Sequence, residues 1–252
     1  MKRLTLFAAS AATLAVAGCA EPVAEDRNRD SDLEIAETDG EAEALARAID
    51  PLDFDVLTLG AKIEGPQGEE PKTALSTTQG NFADMTSYVA CAEGAESCVP
   101  GTAPEGTVYT YVHTVYPGED NDPSTGSGEG ADSSDIEMAT GFMTTMPVYG
   151  FTGEAGYSRN SVRAATGETA EVVITCTDDG GLAWTLNAGD GGDQWEQAEP
   201  VTFWWRSTLP PAGLQIAYAI RTNAASASGP GPFPAASDGA SNACEAVAST
   251  AR

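Results

Sequence analysis

Histidine is nearly absent from this chain. His113 is the only one in 252 residues. A histidine-based metal centre needs several imidazoles, and a Ser–His–Asp relay would depend on His113 alone. No G-x-S-x-G elbow accompanies it. Strand alternation places His113 on one face with Tyr109, Tyr111 and Val115, which suits a half-buried structural position. Basic residues are also scarce: 12 Lys and Arg stand against 38 Asp and Glu, a formal net charge of -26. That field repels nucleic acid and anionic lipid headgroups, so a nucleic-acid function is excluded. Its natural complement is positive charge, either divalent cations or a basic partner. Acidity of this kind also serves simply to keep a protein soluble.

Cysteine is sparse as well. The five are Cys19, Cys91, Cys98, Cys176 and Cys244. No C-x-x-C pair occurs, which argues against a zinc site. With Cys19 set aside, the remaining four form an even set, as expected of a protein in an oxidising compartment. The favoured pairing is Cys91–Cys98, across the short polar loop AEGAES, with Cys176–Cys244 as the second bridge.

The first twenty residues, MKRLTLFAASAATLAVAGCA, are a processing signal rather than part of the fold. Lys2 and Arg3 form a basic head, an apolar core follows, and the run ends in Val16-Ala17-Gly18-Cys19. Such a core is too short to cross a bilayer as a mature helix, and it reads as a secretory signal peptide. V-A-G-C resembles the lipobox of bacterial lipoproteins. The resemblance implies cleavage after residue 18, a lipid on Cys19 (palmitate among its acyl chains) and anchoring in the cell envelope. Ala20, where an Asp often marks inner-membrane retention, points to the outer membrane. The resemblance covers these residues only.

Residues 19–51 read as a flexible acidic tether, with a short helix capped by Asp39, running through Ile49 and stopped by Pro51. Residues 52–252 read as one all-β domain. Strands are expected around 57–63 and 107–116, with one or two more between 136 and 153 that are broken by Pro147 and Gly150. Residues 81–92 read as either helix or strand. A short helix is expected over 158–165, closed by Gly167. AEVVITC and GLAWTLN form a hairpin with a three-residue loop, which sets Cys176 opposite Leu182, Ile174 opposite Trp184 and Val172 opposite Leu186. VTFWWRS and LQIAYAIRT read as a second hairpin around TLPPAG. The short strands and Gly- and Pro-rich turns predict an antiparallel β-sandwich, immunoglobulin-like in general architecture, with a small barrel as the rival reading.

Candidate sites are few. Asp120 and Asp122 lie in the loop GEDNDPSTGSGEGADSSD, and calcium takes such oxygen ligands. The EF-hand pattern fails, because Thr125 stands where Gly is needed and Ala131 where the bidentate Glu belongs. Trp204 and Arg206 alternate in sense with Phe203 and Trp205, so Trp204 is the candidate ligand platform if it is exposed. The opposing reading covers it with the C-terminal segment around Pro232, Phe233 and Pro234. The expectation is a non-catalytic, membrane-anchored envelope lipoprotein with a binding or structural role and no cofactor. Its partners would be the membrane, through the N-terminal lipid, and a glycan or envelope protein. A glycan-binding module using Trp204 is the alternative. An envelope hydrolase with a carboxylate pair is the third reading.

Overall fold

Alternating β-branched and aromatic side chains build about half of the described residues into strands. The computed structural model describes residues 47–78, 80–118, 139–190, 192, 194–195, 199–222, 225–237 and 239–245. In chain order the strands are β1 (Ala48–Ile49), β2 (Leu52–Asp53), β3 (Lys72–Thr77), β4 (Gly80–Ala90), β5 (Tyr109–Pro117) and β6 (Ala139–Thr144). They continue with β7 (Phe151–Tyr157), β8 (Glu171–Cys176), β9 (Leu182–Asn187), β10 (Val201–Ser207), β11 (Pro211–Thr222) and β12 (Ser226–Pro234). All twelve belong to one curled, mixed sheet in the order β1-β8-β9-β6-β11-β12-β3-β4-β5-β10-β7-β2. The all-β expectation holds.

Both outer positions of the sheet are taken by one short segment. β1 pairs antiparallel with β8 and β2 pairs parallel with β7, yet only Asp50 and Pro51 separate them in the chain. An uncovered strand edge is a template for pairing with another chain. Here residues 48–53 cap β8 on one side and β7 on the other. The expected helix through Ile49 is therefore corrected at its end: Ala48 and Ile49 are extended and paired with Thr175 and Ile174. Pairing in the sheet supplies hydrogen bonds that an isolated short helix would lack.

Helix α1 (Arg159–Thr166) follows β7 and forms where the sequence predicts. Ser158 caps it by accepting the Ser161 N–H at 3.0 Å, and Gly167 ends it at φ 91°. Val162, Ala165 and Thr166 turn inward. Its first turn holds the N-terminal segment. The Asp55 carboxylate accepts from Ser158 Oγ at 2.7 Å and from the Asn160 N–H at 2.8 Å, while Asp53 accepts the Arg159 N–H at 3.3 Å.

The β8–β9 hairpin has the expected register, with Cys176 on Leu182, Ile174 on Trp184 and Val172 on Leu186. Thr177 and Gly181 close a loop over Asp178, Asp179 and Gly180, the last at φ 80°. The second expected hairpin does not form. β10 pairs with β5 and β7, and β11 pairs with β12 and β6, so the Leu209-Pro210-Pro211 link crosses between two parts of the sheet. Proline offers no N–H to a ladder, and the Leu209 carbonyl accepts instead from the Tyr111 hydroxyl at 2.9 Å.

The curl brings side chains from distant strands into one aromatic core. Phe142 of β6 stacks on Phe203 of β10 at 5.0 Å, and Trp205 of β10 stacks on Tyr111 at 4.4 Å. Phe233 of β12 meets Trp205 at 5.5 Å and Tyr218 of β11 at 5.7 Å. All of these rings are buried. Aromatic pairs of this kind add about 0.5–1.5 kcal/mol each beyond the area they bury.

Candidate functional site

The four domain cysteines pair as expected: Cys91–Cys98 with α-carbons 5.6 Å apart, and Cys176–Cys244 at 5.3 Å. The second bridge, over a sequence separation of 68, pins the end of the chain to β8. By loop entropy the short bridge contributes about 2.5 kcal/mol and the long one about 4.5. Cys19, Asp120 and Asp122 lie outside the described residues.

His113 is more deeply placed than its sequence suggests. It is fully buried in the aromatic core, with its ring centroid 4.1 Å from that of Tyr218 and 5.9 Å from that of Phe142. Nδ1 lies 2.9 Å from Ser87 Oγ, while Nε2 has no hydrogen-bond partner among the described residues. Burial lowers its pKa to about 3, so the imidazole is neutral at physiological pH.

Trp204 is corrected as a platform: it is fully buried. It does sit on the opposite face from Phe203 and Trp205, as alternation requires, but the segment that meets it is the N-terminal one. Gly156 adjoins both: a β-carbon there would stand 2.7 Å from Trp204 Nε1 and would press on the Leu52 carbonyl. The C-terminal segment packs elsewhere, with Phe233 on Trp205. Arg206 lies over the Trp204 ring at 5.5 Å and pairs with Glu154 at 2.9 Å. Neither residue offers an open ligand surface.

An open concavity lies where β12 leaves β3. Their pairing is recorded at Ser228 on Ser76. Pro230, Pro232 and Pro234 follow, and they have no N–H with which to extend a ladder. Beyond Ser228 a groove of about 290 Å³ opens, floored by Ile63, Tyr88, Val89, Leu214 and Pro232. One wall is the turn at residues 65–68, held by reciprocal Gly65–Gly68 backbone bonds of 3.2 and 3.0 Å. The other is the turn at residues 211–213, where Gly213 has φ 130°. Glu64 and Glu69 stand exposed on the rim.

No family model, curated protein or solved structure matches the chain.

The groove is therefore characterised by its own chemistry. Its floor is aliphatic and proline-rich, and its rim is acidic. Tyr88 carries the Lys62 ammonium 4.1 Å from its ring centroid, and Lys62 is ion-paired with Glu70. Burial, and then the negative charge of Glu70, raises the Tyr88 pKa to about 12. The hydroxyl stays protonated and can donate a hydrogen bond. The groove volume is at the lower end of small-ligand pockets, which run from about 300 to 1,000 Å³. Among the described residues no group of three or more His, Cys, Asp or Glu is gathered for a metal. Sequence alone shows GPQG and PPAG only as turns. Nothing in it brings those two turns together around Tyr88.

Proposed function

We propose that this chain is a lipid-anchored lipoprotein of the bacterial cell envelope, on the outer membrane, with a non-catalytic binding or structural role. The observation that carries the reading is Val16-Ala17-Gly18-Cys19 at the end of a basic-headed apolar run. Several acyl chains on Cys19 would hold the domain firmly, since one chain alone gives only marginal binding. The architecture suits that role. Trp184, Trp205, Phe142 and Phe203 fill the interior, the reverse of a membrane-spanning barrel, whose apolar band faces outward. The curled sheet is taken to flatten into two packed halves, a sandwich immunoglobulin-like in general architecture. The Phe142–Phe203 contact, between strands that are not neighbours in the sheet, supports this.

The test is fractionation of cells carrying Cys19→Ser. The wild-type protein is expected in the membrane fraction and the variant in the soluble fraction. A variant that stays with the membrane contradicts the anchor.

A further inference from the structure

We propose that the groove framed by residues 63–71, Tyr88 and Val89 of β4 and the start of β11 is a docking site for a basic peptide segment of another protein, seated by an aliphatic or prolyl anchor. This rests on the binding role proposed above and names the partner class.

Charge selects the occupant. Glu64 and Glu69 are exposed on the rim, and they belong to a chain of net charge -26. A second copy of this chain would bring the same negative field to the groove and be repelled. The chain's own segment 21–46 is also unsuited, since it holds Arg27 and Arg29 among many Asp and Glu residues. A basic segment meets a complementary field, which speeds encounter and sets orientation. The site already shows how an ammonium is accommodated beside it: Lys62 lies over the Tyr88 ring and against Glu70.

The apolar floor supplies the anchor. Leu214 and Tyr88 are half-buried, and Pro232 closes the base. Strand alternation puts Ile216 on the same side of β11 as Leu214. Its side chain is 67% exposed, which extends the apolar strip beyond the groove. A fixed floor between two turns costs little to order on binding.

The experiment titrates the full-length mature chain carrying Cys19→Ser with three synthetic peptides. Each has a Pro-Leu-Pro centre, flanked by paired Arg, paired Ser or paired Glu. The Arg-flanked peptide is expected to bind about tenfold more tightly than the Glu-flanked one at low salt, with the gap narrowing at high salt. Backbone amide shifts should map to residues 63–65, 67–69, 88–89 and 212–214. The double variant Glu64→Lys/Glu69→Lys changes two exposed side chains and should reverse the order of the charged peptides. Leu214→Asp, checked by its unfolding midpoint, should weaken all three peptides. Equal binding of the three peptides, no binding of the Arg-flanked one, or shifts that map elsewhere would overturn the proposal. A membrane-bound Cys19→Ser protein would instead contradict the anchor alone, so the two failures are distinct.

Discussion

The indole nitrogen of Trp204 closes on Gly156: a β-carbon added there would stand 2.7 Å from it and would press harder still on the Leu52 carbonyl. The carbonyl is backbone held by β2 pairing with β7, so it has little room to move. Gly156→Ala is expected to loosen the N-terminal segment. Chemical denaturation should show a loss of about 1–3 kcal/mol, the usual cost of overpacking. Trp204→Ala acts oppositely, by emptying a buried site, and should cost about 3–5 kcal/mol. A Trp204→Ala protein of unchanged stability would contradict the burial.

Acid should destabilise the fold through His113. The unfolded imidazole takes up a proton near 6.5, but the folded one only near 3, because burial disfavours its charge. The unfolded state thus binds more protons, and stability falls as pH drops through 6.5 toward 3. The slope from this group approaches about 1.4 kcal/mol per pH unit. His113→Leu should be less stable at neutral pH, because Ser87 Oγ loses its partner. Its stability should also fall less steeply between pH 6.5 and 4 than that of the wild type. Identical slopes would place the acid sensitivity elsewhere.

The hold of the N-terminal segment depends on Asp55. Its carboxylate accepts from Ser158 Oγ and the Asn160 N–H at the start of α1. Asp55→Ala should cost about 0.5–2 kcal/mol, as loss of a capping side chain does. Hydrogen exchange should rise first at the amides of β1 and β2. Because these strands cover both edges of the sheet, exposing β7 and β8 should also favour self-association, measurable by sedimentation.

What the sequence makes legible follows from which contacts are local. The β8–β9 register is set by alternation and a short loop, so Ile174 on Trp184 can be read directly. β10 and β11 are just as clear as strands, but β10 finds both its partners far along the chain, and β11 pairs with distant β6 as well as with the adjacent β12. Periodicity carries no information about that. β12, SASGPGPFP, lacks β-branched residues and alternates proline, and so it reads as a tail. Gly229 and Gly231 fit there because a β-carbon at Gly231 would meet the Tyr218 ring at 2.7 Å, and one at Gly229 would press on the Ala74 carbonyl. The paired fate of β1 and β2 is invisible for the same reason, since two-residue strands have no period. The groove is a product of these non-local choices; Cys176–Cys244 is non-local too, but it follows by elimination once Cys91–Cys98 closes its short loop.

The anchor is tested most directly by mass spectrometry of the N-terminal peptide from protein extracted with the envelope. The mature chain is expected to begin at Cys19, with acyl lipid on that residue. A mature chain starting at Cys19 with a free thiol, or one still containing Ala17 and Gly18, would contradict it.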